Sequence, residues 1–106
     1  MIDISHVLDL YINNSVVLTQ HFMDRIRKRE IKLSDIRIAV INSEIIEQYP
    51  SDYPYPSALL LGYLGANRPL HVVVGIGNDK LWMITAYQPS SKNWLDDFKT
   101  RREILT

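Results

Sequence analysis

The order of periodicities along this chain constrains its fold more than any other feature. Three apolar runs, residues 58–64, 70–76 and 81–87, are separated only by the turn-rich segments GANRP and GNDK. They predict antiparallel strands joined by tight hairpins. The residues ahead of 42 carry the other period. Ile4, Val7, Leu8 and Tyr11 recur at helical spacing and run out at Asn13-Asn14. After the apolar stretch Val16-Val17-Leu18, Thr19 is suited to cap a second helix carrying His21, and Ser34 to open a third over 35–41, where Ile36, Ala39 and Val40 share a face. A short strand over 45–48 brings the expected sheet to three or four strands. In SSKNWLDDFKTRR, Trp94 and Phe98 stand at i and i+4, which predicts a short C-terminal helix. Helices first and an antiparallel sheet afterwards define an α+β chain.

The remaining bounds are broad. A length of 106 residues suits a single domain, 1–106, burying roughly 65% of its unfolded surface. The segment YPSDYPYPS holds Pro50, Pro54 and Pro56 and reads as a stiff surface connection. The absence of cysteine excludes a disulfide scaffold, a thiolate zinc site and a cysteine nucleophile. No run of eighteen apolar residues occurs, so no membrane span is expected. The start, MIDISHVLDLY, has no Lys or Arg and is unlike a secretory signal, so a cytoplasmic protein is expected.

Twelve Lys and Arg balance twelve Asp and Glu, which argues against a broadly basic nucleic-acid coat. The distribution is uneven, however. Arg25, Arg27, Lys28, Arg29, Lys32 and Arg37 outnumber the acids between 21 and 37, whereas Glu44, Glu47 and Asp52 are the only charges over 42–64. Lys99, Arg101 and Arg102 form a second basic cluster. At 100° per residue His21, Arg25 and Arg29 fall on one stripe about 80° wide, bordered by Phe22 and Ile26. Such a row can hold a phosphate at the edge of a cleft or simply face solvent.

The strands place other polar groups. His71 alternates against Leu70, Val72 and Val74, while Thr85 and Tyr87 share the parity of Leu81 and Met83. A two-residue loop at Asn78-Asp79 sets His71 opposite Ala86; a three-residue loop or a bulge at Gly77 sets it opposite Thr85. Each candidate has a plainer reading. His21 suits a partly buried helix, Arg25 an ion pair with Asp24 or a C-terminal acid, His71 a hydrogen-bonded sheet interior, and Thr85 and Tyr87 ordinary strand propensity. Tyr49, Tyr53 and Tyr55 can stack bases or pack the proline loop. Trp82 and Trp94 suit the core and helix docking.

No metal pattern joins His6, His21 and His71, and GIGND leads into a strand rather than a helix, unlike a phosphate loop. No GxSxG elbow occurs, and Asp96-Asp97 give little basis for paired-carboxylate chemistry. The toolkit left is cofactor-free acid–base chemistry with cationic stabilisation. Histidines, a tyrosine and arginines can cleave RNA through its own 2′-hydroxyl: a base removes that proton, an acid protonates the leaving oxygen, and guanidinium groups stabilise charge on phosphorus.

The run LTQHFMDRIRKREI with SDI, the loop EIIEQYPSDYPYPSALLLG, then RPLHVVV, ITAYQP and a final W with FKTRR resemble the bacterial family known as domain of unknown function 4258. The likeness spans about residues 16–102. It implies N-terminal helices packed on an antiparallel sheet, similar to toxin ribonucleases of the barnase–EndoU–colicin–RelE group. It also implies a cognate antitoxin, such as an MqsA-type zinc-finger protein. By the resemblance, His21 and Arg25 are the family's helical His and Arg, Arg29 its second Arg, and His71 its strand His. Thr85 and Tyr87 are its terminal-strand pair, and Arg101-Arg102 its basic end. Glu30 departs from the family's Gly at that position, which predicts a slightly longer helix.

The expected function is therefore a metal-independent endoribonuclease toxin acting on RNA. His21 is its acid or base, Arg25 and Arg29 its phosphate ligands, Thr85 and Tyr87 its positioning groups, and His71 a second proton-transfer group. Lys28, Arg101 and Arg102 add nucleic-acid contacts. The rival expectations are a non-catalytic module docking nucleic acid or an acidic partner, and a structural stripe with Arg25 buried and paired.

Overall fold

Asp3 opens the first helix by accepting the Ser5 amide at 2.9 Å, and the computed structural model describes the chain from there outward over residues 1–103. The elements run α1 (Ile4–Ile12), β1 (Val16–Leu18), α2 (Gln20–Lys28), α3 (Leu33–Ile41), β2 (Glu44–Tyr49), β3 (Ser57–Tyr63), β4 (Pro69–Gly77) and β5 (Lys80–Tyr87). Among the described residues the architecture is mixed α+β, with a sheet of five strands rather than the three or four expected. Its order is β1-β5-β4-β3-β2. The extra strand is Val16–Leu18, which pairs parallel with Leu81–Met83 at the sheet edge. Three residues are too few to display an alternation, and the partner lies some 65 positions away, so pairing rather than local pattern makes this strand.

Local chemistry sets the helix ends. Thr19 caps α2 as its sequence predicts, its hydroxyl accepting the Phe22 amide at 3.1 Å. Helix α3 begins at Leu33, with Lys32 as its cap, so Ser34 lies inside it and is not the opener. The carboxylate of Asp35 reaches back to the Lys32 amide at 3.0 Å, satisfying an orphan donor from within the first turn. At the end of α2, Ile31 N–H donates to the Ile26 carbonyl at 2.8 Å and Glu30 N–H to that of Arg27 at 3.1 Å. These two bonds form a Schellman motif. Glu30 sits at its left-handed position with φ 58°, so the helix is not lengthened; it stops where glycine would stop it. Asn14 plays the same part after α1, with φ 61°.

The three helices cover one face of the sheet. Phe22, Ile26, Ile36, Val40 and Val7 are buried against Leu60, Leu70, Val72, Val74, Leu81 and Met83. Gly62 on β3 lets α3 approach closely, since a Cβ there would lie 2.0 Å from the Ala39 carbonyl oxygen.

The β4–β5 register differs from both expectations. Asn78 and Asp79 form the two-residue turn, both with positive φ, and Gly77 pairs Lys80. The pairing then slips by one residue: Val74 faces Met83 while Val73 faces Thr85, leaving Ile84 as the extra residue of a bulge. Beyond it every side chain of β5 changes face. Thr85 and Tyr87 therefore do not share a face with Leu81 and Met83, and His71 lies opposite Tyr87 rather than Ala86 or Thr85.

The expected C-terminal helix is absent. Residues 90–102 form a series of turns closed by a bridge between Trp94 and Arg101. The Asp97 carboxylate takes the amides of Lys99 and Thr100 and the Thr100 hydroxyl. This local turn competes with helix. The segment lies over the second face of the sheet, where Trp94 and the Phe98 carbonyl meet His71.

Candidate functional site

Helix α2 lies along β5, and its cationic stripe follows the strand. His21 stands exposed in the first turn, Arg25 half-buried in the next, and Arg29 at the C-cap. His21 to Arg29 spans about 12 Å of helix axis. Strand β1 pairs with β5 only as far as Met83, so among the described residues the outer edge of β5 beyond it has no strand neighbour. Arg29 takes that place: its Nη1 donates to Thr85 Oγ1 at 2.9 Å and to the Ala86 carbonyl at 2.8 Å. Among the described residues its Nε and Nη2 bond no acceptor and stay open to others. Arg27 pairs with Asp24 at 3.3 Å, and Lys28 is exposed. Arg25 is in no ion pair among the described residues.

At the far end of β5, Tyr87 lines an open cavity of about 440 Å³ with Trp94, Arg101, Arg102 and Lys92. Arg101 is held twice. Its Nε and Nη2 donate to the Glu47 carboxylate at 2.8 and 2.9 Å, and its guanidinium lies 4.6 Å from the Trp94 ring centre. That ion pair holds the Glu47 carboxyl below its ordinary range. Glu47 also accepts the Tyr49 hydroxyl proton. Burial first, and the Glu47 bond second, push the Tyr49 phenol up to about 12.

His71 is fully buried. Nε2 lies 2.8 Å from the Phe98 carbonyl, which can only accept, so the partners assign the proton to Nε2. Nδ1, 3.3 Å from the Tyr87 hydroxyl, is then that hydroxyl's acceptor. Burial holds the imidazole below its ordinary pKa, opposed by the Phe98 bond and the Glu47 charge. The Tyr87 phenol is raised, chiefly by burial, with Arg101 and Arg29 pulling the other way.

The structure thus joins Arg29 to Thr85, His71 to Tyr87, and Tyr87 to Arg101 and Arg102. His21 lies apart, at the other end of the α2–β5 track. It lines a separate cavity of about 180 Å³ together with Tyr55, Trp82 and Ile84. Glu47, Tyr49 and Trp94, absent from the expected site, complete the network around His71. The alternation of Glu47 and Tyr49 on β2 is the one sequence signal that could have placed them on a shared face. Among the described residues no three His, Cys, Asp or Glu side chains form a group that could hold a metal ion, and no helix is long and apolar enough to cross a membrane.

The family model described as Domain of unknown function (DUF4258) matches residues 18–88. The chain belongs to that family. The matched span holds His21, Arg25, Arg29, His71, Thr85 and Tyr87 and stops short of Arg101 and Arg102. No curated protein and no solved structure matches the chain.

Proposed function

We propose that this DUF4258 protein is a metal-independent endoribonuclease of the RelE-like toxin group, cleaving RNA through the substrate's own 2′-hydroxyl. The observation that supports the reading is Arg29 anchored on Thr85 and the Ala86 carbonyl at the edge of β5, at the end of the helical stripe that also carries His21 and Arg25. A polyanion laid on that edge meets an exposed imidazole and then two guanidinium groups. His21 serves as general acid or base. Arg25 and the free donors of Arg29 bind the scissile phosphate and stabilise the charge that builds on it. Thr85 positions Arg29. Tyr87 contacts the strand further along, beside Arg101 and Arg102. His71, having no solvent exposure, is assigned a positioning role: it accepts the Tyr87 proton and fixes that hydroxyl. A cognate antitoxin, of the zinc-finger kind, is proposed to cover the same track.

The test is cleavage of an end-labelled RNA by the purified protein with EDTA present. Products ending in a cyclic phosphate are expected, with a loss of roughly 100-fold or more in His21→Ala, a typical acid–base contribution, and a comparable loss in Arg25→Ala. Induced expression should arrest growth with the wild type and not with either variant. Harmless expression of all three, with RNA left intact, would overturn the reading.

The burial of His71 favours one rival, a binding module. It leaves His21 as the single exposed histidine of the track, without a second imidazole to exchange protons with substrate. RNA retained without scission, and equally well by His21→Ala, is the result that selects the module.

A further inference from the structure

The second feature of the His21 end is the cavity that His21 lines together with apolar and aromatic side chains. One wall is a fixed aromatic pair. The Tyr55 and Trp82 rings lie 5.4 Å apart, tilted by 35°. Trp82 Nε1 donates to the Gly77 carbonyl at 2.9 Å. The Tyr55 ring occupies the space of any side chain at residue 77, since a Cβ there would come within 2.0 Å of it. These contacts hold both rings in place, so the wall is preformed.

The other side is formed by Ile84, pushed outward by the β5 bulge and 37% exposed, and the rim by Pro54 and by Tyr53, which is 91% exposed. Among the described residues this tyrosine is scarcely covered, and the proline loop carries it without packing it down. Apolar concavities rimmed by a few polar groups are ordinary ligand sites. Here the polar rim comprises Thr19, His21 and Asp52, whose two carboxylate oxygens already accept the Tyr53 amide and the Ser57 hydroxyl, and the next turn of α2 carries Arg25.

We infer that this cavity is a nucleobase subsite, in which a base lies against the Tyr55–Trp82 wall under Tyr53 while its phosphate rests on His21 and Arg25. The occupant is set by two properties found side by side: flat aromatic walls that suit a planar heterocycle, and a cationic row that suits its phosphate. An apolar side chain would fill the cavity and leave the row unmatched; inorganic phosphate would do the reverse. The identification of the nucleotide as part of an RNA substrate rests on the ribonuclease reading above. The existence of the subsite does not.

The experiment is an NMR titration of the full chain with the four ribonucleoside 3′-monophosphates, the matching nucleosides, and inorganic phosphate. Monophosphates are expected to shift the Ile84 methyl and Trp82 indole signals together with those of His21 and Arg25. Nucleosides should move the first pair only, and phosphate the second pair only. Tyr53→Ala, a change at an exposed position, should weaken monophosphate binding by about tenfold, the scale of one base–aromatic stack. Ile84 and Trp82 signals unmoved by every monophosphate and nucleoside would overturn the subsite, as would binding indifferent to Tyr53→Ala. RNA cleavage measured in parallel separates the two readings. Scission without a response at Ile84 and Trp82 removes the subsite alone. The full response without scission keeps the subsite and removes the nuclease.

Discussion

Glu30 ends α2 from the left-handed region of backbone space. Its φ of 58° is a conformation that costs a side-chain-bearing residue roughly 1–2 kcal/mol, and glycine almost nothing. Glu30→Gly is therefore expected to stabilise the protein by about 1 kcal/mol, less a few tenths for the greater freedom of the unfolded chain. Urea unfolding should show this as a higher midpoint at unchanged slope. Asn14, in the same place after α1, is legible because asparagine tolerates left-handed backbone; nothing in a glutamate announces it. His71 supplies the pH dependence. Its folded pKa lies below the ordinary 6.5, chiefly through burial. Between that depressed value and 6.5 the unfolded chain binds a proton that the folded chain refuses. Its stabilisation is therefore complete above 6.5 and is lost as pH falls below it, by at most about 1.4 kcal/mol per unit. Thermal melts from pH 7.5 to 5.5 should show this loss, and His71→Phe should flatten it even while lowering the melting temperature throughout. Glu47, whose pKa is depressed by Arg101, contributes its loss only below its ordinary 4.5, outside this window.

Among the elements, the helices and the hairpin strands were legible because each carries its own period; Thr19 also marks the start of α2, whereas α3 opens at Lys32 and not at Ser34. What escaped depended on partners distant in sequence. Val16–Leu18 becomes a strand only because β5 offers an edge, and the β5 bulge is invisible because Lys80–Tyr87 alternates no differently with it or without it. That bulge decides the candidate site: it moves Thr85 onto Arg29 and Tyr87 onto His71. The Trp94 and Phe98 spacing misled for a related reason, since Asp97 closes a local turn that places the Trp94 ring and the Phe98 carbonyl around His71 instead of along a helix. The α3–β3 contact gives a sharp test at this scale. Gly62→Ala sets a methyl 2.0 Å from the backbone oxygen of Ala39, and neither rigid element can yield by rotamer change. A loss of about 3 kcal/mol is expected, at the upper end of overpacking costs. A variant as stable as wild type in urea would show that α3 can shift away from the sheet.

For the whole molecule, zero net charge and a cationic track are compatible because the cations are aligned rather than numerous. A basic coat would bind any polyanion with a steep dependence on salt. A short row should bind weakly and with a shallow one. If Arg25, Arg29 and Arg102 each neutralise one phosphate, three counterions leave the strand. The affinity for single-stranded RNA should then fall with log salt at a slope of about −2, from −0.7 per neutralised phosphate. Arg101 is left out of that sum because Glu47 already balances it at 2.8 Å. Arg25→Ala should reduce the slope by about 0.7, and Arg27→Ala, paired with Asp24 on the exposed side of α2, should leave it unchanged. Fluorescence anisotropy of a short labelled RNA between 50 and 300 mM salt reads both. Equal effects from the two variants would mean that RNA senses α2 as a general positive surface, and the alignment of the row along β5 would then have no bearing on binding.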